Sequence, residues 1–214
     1  MARSVDTVAR RRRDSYRHAL VWHEALIALH PELGSIPTPV YELARCRDLH
    51  VGHLTLPRLT MGTFLEQAVG DGAGREVLRT VLLAVHASPV QDRFTMAHEL
   101  GHDALGTVCH GDRLNEIEAD AFASGLLMPH EAVWAELGSR LLTREPMPIS
   151  GWAEEERKFH TVSDLRLRFK VSYDTTIRTL VDMEAVEDYP PWELASLKAA
   201  PRAYRLALKR LAGG

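Results

Sequence analysis

Three residues on one short segment could carry out hydrolytic chemistry. His98 and His102 stand four apart with Glu99 between them, in the order His-Glu-x-x-His. Side chains four residues apart on a helix project from one face, with β-carbons about 5–6 Å apart. Two imidazoles placed in this way can reach a single ion at about 2.0–2.1 Å. Glu99 lies beside that face, where its carboxylate can take a proton from a metal-bound water without being a ligand.

A tetrahedral site needs a third protein ligand and leaves its fourth position to water. The following segment, Asn115-Glu116-Ile117-Glu118-Ala119-Asp120, offers three carboxylates. Glu116 and Asp120 are one helical turn apart and share a face, whereas Glu118 is rotated by about 200° from Glu116. This phase favours Glu116 as third ligand. Asp120 would accept a hydrogen bond from a ligating imidazole and fix its tautomer. Glu118 stays open as the alternative ligand. Gly101 falls inside the first helix, where glycine costs about 1 kcal/mol relative to alanine. Its presence asks for close approach of another backbone or of substrate, or for tight helix–strand packing.

The elements that must hold these residues are legible in part. Residues 5–30 read as a helix with Tyr16, Leu20, His23 and Ile27 at three-to-four spacing, and its run Arg10 to Arg13 reads as a solvated face. Val40 to Cys46 reads as a short helix and Val51 to Leu56 as a strand. The glycines at 70, 72 and 74 mark a turn, without the pattern of a phosphate loop. Val77 to Val85 reads as a buried strand ended by Ala87-Ser88-Pro89. A helix is expected from about Thr95, a loop over Thr107 to Gly111, and a second helix from Asp112 to Met128, ended by Pro129. Gly138 to Gly151 reads as a connector. Val162 to Met183 reads as two short helices split near Lys170, with a basic amphipathic helix after Pro190-Pro191.

Composition narrows the classes. The chain has 214 residues, 45% hydrophobic and 26% charged, with a formal charge of -3. That balance suits a soluble globular fold and gives no global attraction for nucleic acid or anionic membrane. Two cysteines, Cys46 and Cys109, form no disulfide framework and fit a reducing compartment. The apolar stretch Ala19 to Leu29 is broken by His23 and Glu24, which argues against a signal peptide. No window reaches the roughly eighteen apolar residues a membrane span needs. A cytoplasmic location is the expectation.

The segment Arg93-Phe94-Thr95-x-Ala97-His98-Glu99-Leu100-Gly101-His102, with Glu116-x-Glu118-Ala119-Asp120-x-Phe122-Ala123 and Leu126-Leu127-Met128-Pro129 behind it, resembles the ImmA/IrrE-type metallopeptidases. The Glu-x-x-x-Asp spacing is similar to that of thermolysin-like gluzincins, which implies the ligand role for Glu116. The resemblance implies an α+β fold: a minimal zincin-like metallopeptidase core, with a small sheet packed on the His-Glu-x-x-His helix and the Glu-bearing helix. It also implies zinc as cofactor, with manganese as the alternative. The implied substrate is a protein, namely a helix-turn-helix transcriptional repressor whose cleavage releases stress-response or mobile-element genes. This chain departs from relatives that carry another His four residues after the second metal His, since Gly106 stands there and Asp103 follows His102.

The expected organisation is an N-terminal helix over 1–36, the metallopeptidase core over 37–150, and a helix-turn-helix-like helical region over 151–214. In that last region Phe169 and Val171 would fill the corner, Ser172 would cap the second helix, and Ile177 and Leu180 would face the core. Four basic against three acidic residues from Asp164 to Asp182 make a weak phosphate-binding surface, so packing on the core is favoured over DNA reading. For the oxyanion, His110, His160 and Tyr173 are candidates by chemistry alone. The competing function is a non-proteolytic DNA- or repressor-binding regulator with a structural zinc, and Glu99 argues against it, because a structural site has no need of a general base. A metal-dependent hydrolase of a non-peptide substrate is a third reading that the same motif would serve.

Overall fold

The computed structural model describes residues 2–57, 60–70, 76–107, 112–143 and 162–182. It opens with a long helix, α1 (Ala2–Leu29), followed by a single 3-10 turn at Pro31–Gly34. Then come α2 (Val40–Cys46) and three strands: β1 (Leu49–Leu54), β2 (Gly62–Val69) and β3 (Glu76–Ala84). The remaining elements are α3 (Pro89–Leu105), α4 (Arg113–Leu127), α5 (His130–Thr143), α6 (residues 162–169) and α7 (Tyr173–Asp182). This is an α+β protein with a small sheet and helices around it.

The sheet has the order β1-β3-β2, with β1 parallel and β2 antiparallel to the central β3. Phe64 on β2 sits opposite Val81 on β3, and both are buried with Leu83 on the face that carries α3. On the opposite face Leu65, paired with Thr80, is exposed. The expectation of a strand buried on both faces is therefore corrected: β3 is covered on one face, as alternate residues of an antiparallel pair allow. β2 itself was not foreseen, because Gly62 to Val69 mixes Gly, Glu and Gln with a few apolar residues and carries little strand signal. β1 begins two residues earlier than the expected Val51 and ends at Leu54.

Helix boundaries follow their caps. α3 starts at Pro89, six residues before the expected Thr95, because Ser88 and Gln91 form a capping box. Asp112 caps α4 by accepting from the Leu114 N–H at 2.8 Å. Residues 138–143, expected to belong to a connector, continue α5 instead; a single glycine lowers helix propensity without ending a helix. The split near Lys170 is present: Lys170 has φ 52 between α6 and α7. Phe169 and Val171 are buried at this corner, and Ser172 Oγ accepts from the Thr175 N–H at 3.0 Å. The basic helix expected after Pro191 lies outside the described residues.

One hydrophobic cluster joins α1, α2, the sheet, α3, α4 and α6, with Tyr16, Leu43, Phe64, Leu100, Phe122 and Phe169 among its members. α1 lies tightly on α4. A Cβ added at Gly125 would stand 2.8 Å from the Tyr16 carbonyl oxygen and 3.1 Å from the Ala19 Cβ. The last carbonyls of α4 have no partner within the helix. Tyr16 Oη donates to the Met128 carbonyl and Thr38 Oγ1 to the Leu126 carbonyl, each at 2.9 Å. The Arg run of α1 is not a wholly solvated face, since Arg11 pairs with Glu118 of α4.

Gly125→Val places two extra methyl groups and a Cβ against the Tyr16 backbone. Overpacking of this kind costs about 1–3 kcal/mol and outweighs the gain in helix propensity. A lower thermal midpoint is expected by circular dichroism, and an unchanged midpoint would contradict the α1–α4 packing.

Candidate metal centre

α3 carries His98, Glu99 and His102, and its capped start fixes their phase. The helix closes at Gly106, whose φ of 65° turns the chain back beneath the last turn. Thr107, the next residue, lies under His102: its Oγ1 is 3.0 Å from His102 Nδ1. α4 crosses α3 at Gly101. A Cβ there would meet the Ala119 Cα, the Ala119 carbonyl oxygen and the Phe122 Cβ, each at 3.2 Å. The reason for the glycine is thus the close approach of a second helix, rather than of a strand.

That crossing brings three donor atoms together. His98 Nε2 is 3.1 Å from His102 Nε2 and 3.2 Å from Glu116 Oε2, and His102 Nε2 is 3.6 Å from Glu116 Oε1. A tetrahedral ion with bonds of about 2.0–2.1 Å places its donors about 3.3 Å apart. The observed edges bracket that value, and His98, His102 and Glu116 could hold a metal ion.

Tautomers point the same way. The Asp120 carboxylate accepts from His98 Nδ1–H at 3.0 Å, which leaves the His98 Nε2 lone pair facing inward. Thr107 Oγ1 can accept from His102 Nδ1–H in the same sense. Two imidazole nitrogens and a carboxylate oxygen then converge on one point, an arrangement that favours a cation among them, whether a proton on His98 or a metal ion.

Glu118 turns away and pairs with Arg11 of α1 at 3.2 Å. Of the two glutamates left open by helix phase, only Glu116 faces the imidazoles. Asp120 has a second partner in Arg178 of α7, whose Nη1 is 3.6 Å from Oδ2. Asp103, directly after His102, is nearly buried and accepts from Arg47 Nε at 3.0 Å and Arg79 Nη1 at 2.7 Å. Arg79 also donates to the Arg47 carbonyl. The position after the second His thus ties α3 to β3 and the α2–β1 corner.

Glu99 is 3% exposed. It lines a cleft of about 470 Å³ together with His98, Glu116, Phe94, Thr95 and the strand-entry residues Thr60 to Thr63. A Cβ at Gly62 would stand 2.3 Å from Thr95 Cγ2 and 3.1 Å from Glu99 Oε1, so only glycine lets β2 pass this close to the carboxylate. Of the oxyanion candidates, His110 and His160 lie outside the described residues. Tyr173 begins α7 and is not among the described residues lining the cleft. Its pKa is raised by burial and then by Asp174.

Sequence reasoning missed Thr107, Gly62, Arg178 and the partners of Asp103. Thr107 had a signal, since a helix-ending glycine five residues after Gly101 folds its successor back. The others come from distant elements and had none.

The family model for the IrrE N-terminal-like domain, a peptidase family, matches residues 63–180. The chain belongs to this family. No curated protein matches it. Among solved structures the IrrE-like chain is similar to a Mycobacterium tuberculosis transcriptional regulator, at 17% identity and a TM-score of 0.44, over 79% of this chain and 51% of that one. The chain therefore spans about half the length of that regulator.

Burial disfavours the His98 imidazolium, but the Asp120 hydrogen bond and the charges of Asp120, Glu99 and Glu116 outweigh it and raise the pKa. A metal must displace that proton, so apparent affinity falls as pH drops, beginning above the ordinary histidine value of about 6.5. Competition with a chelating dye across about pH 8 to 5 measures this. Flat affinity over that range would refute it. Asp120→Ala removes the orienting carboxylate, and metal affinity at neutral pH is expected to fall about 10–100-fold. The same titration reads that loss.

Proposed function

We propose that the chain is a zinc-dependent endopeptidase that cleaves a regulatory protein, with a helix-turn-helix repressor as the best-fitting substrate class. The observation that carries this reading is the buried Glu99 in the cleft that also reaches His98 and Glu116. A metal held only for structure would need no carboxylate there. Membership of the peptidase family supports hydrolysis of a peptide bond, and the regulatory substrate follows from the resemblance of the motif blocks.

In this reading His98, His102 and Glu116 hold zinc, with manganese as the alternative ion. When bound, zinc lowers the pKa of a water towards about 7 and polarises the scissile carbonyl. Glu99 accepts the proton of the attacking water and delivers it to the leaving amine nitrogen. Asp120 and Thr107 hold the two imidazoles in the tautomers that direct both Nε2 lone pairs at the ion. An extended peptide is favoured over a non-peptide substrate by the position of β2. The strand begins at the cleft and, among the described residues, pairs only with β3 on one side. Its other edge offers main-chain N–H and C=O groups to a peptide laid alongside.

Residues 37–150 would then form the catalytic part, residues 1–36 its supporting helix, and 151–214 a helical region that contacts substrate. Among the described residues no helix is long and apolar enough to cross a membrane, and a cytoplasmic repressor is the partner this reading requires.

The decisive experiment is co-expression with a repressor encoded beside this gene, followed by mass analysis of the repressor. One bond cut by the unaltered chain, and none by Glu99→Gln, is the expected result. The purified Glu99→Gln protein should keep its zinc while its cleavage rate falls about 10²–10⁴-fold. Normal cleavage by that variant would remove Glu99 from its role.

A further inference from the structure

A second depression adjoins the catalytic cleft. It has a volume of about 230 Å³, and Met61, Phe94 and Thr95 line both it and the cleft, so the two adjoin at these residues. Val90 on α3 extends its apolar floor, and the far wall is built by α7 through Asp174, Thr175 and Arg178. The wall is held in place from the metal centre, by the Arg178–Asp120 contact at 3.6 Å.

α7 shows which way its surface is directed. Thr175, Thr176, Ile177 and Thr179 are buried, while Asp174 and Arg178, four apart on one stripe, are exposed. Both line the groove. A helix that reads DNA must present its exposed stripe to a major groove and to phosphates. Here the stripe carries one charge of each sign and borders the groove beside the cleft. Its cation already faces Asp120.

We propose that the groove between α3 and α7 is a specificity subsite that takes one large aliphatic or aromatic side chain of a peptide held in the catalytic cleft. The inference rests on the peptidase reading and extends it to substrate choice. The lining shared at Met61, Phe94 and Thr95 puts a residue adjacent to the scissile bond within reach of the groove, and the volume accommodates one large side chain. The apolar floor rewards a buried hydrocarbon group. The helix-turn-helix-like pair thereby becomes part of the enzyme's substrate wall.

The test uses the zinc-loaded full chain and two peptidic hydroxamates that differ only in bearing an isobutyl or a methyl group next to the metal-binding end. Affinities are read by calorimetry, independently of turnover. The isobutyl compound is expected to bind on the order of tenfold more tightly to the unaltered protein. Val90→Trp fills the groove from α3, and Asp174→Trp covers it from the exposed side of α7. In either folded variant the preference should fall to about twofold or less with zinc content unchanged. Equal affinities in the unaltered protein, or a preference that survives both variants, would overturn the groove. So would duplex DNA binding that Arg178→Ala abolishes and the isobutyl compound does not displace. Absence of any zinc-dependent binding by either compound would overturn the peptidase reading together with the groove.

Discussion

The close contact of two helices at Gly101 and Ala119 is the constraint on which the rest of the structure depends. Each helix alone presents its polar groups to solvent. Only when their axes approach to the distance that a missing Cβ permits do His98, His102 and Glu116 place their donor atoms within 4.8 Å of one another. The helix interior gives up about 1 kcal/mol of propensity at the glycine to make that approach possible. Packing of Leu100 and Phe122 into the common core recovers it.

Such a cluster of donor atoms depends on how the two helices are held, and the surrounding structure fixes both of them. The restraint comes from several directions. Tyr16 and Thr38 hold the carboxyl end of α4 through its last carbonyls. Arg47 and Arg79 hold the end of α3 through the nearly buried Asp103, and charged hydrogen bonds in that setting are among the stronger ones a fold can make. Arg11 pairs with Glu118 on the face of α4 opposite Glu116 and Asp120 and so ties α4 to α1. These anchors lie on separate elements, and each resists a different displacement of the pair.

The sheet contributes shape more than ligands. β3 buries one face against α3, and β2 enters beside Glu99 at Gly62, where any side chain would collide with Thr95. The cleft is consequently narrow beside the carboxylate. α7 lines the neighbouring depression through Arg178, which touches the same Asp120 that contacts His98. One carboxylate therefore links the metal centre to the C-terminal helices.

Local sequence was sufficient for the features that helical phase encodes. The four-residue spacing of His98 and His102, the flanking Glu99 and the shared face of Glu116 and Asp120 are consequences of helical periodicity. The split at Lys170 and the cap at Ser172 are equally local. The reading failed where signals were weak or were settled by neighbours. β2 lacked a strand pattern, α3 began at a capping box hidden behind a proline, and α5 continued into residues 138–143, which read as a connector. Only the packing of α4 on α3 separates Glu116, which faces the imidazoles, from Glu118, which pairs with Arg11, 107 residues away on another helix. Tertiary structure also supplied Gly62 and Arg178, whose places beside the site are fixed by how elements pack. Periodicity specifies which side chains share a face, and packing between elements specifies what that face meets.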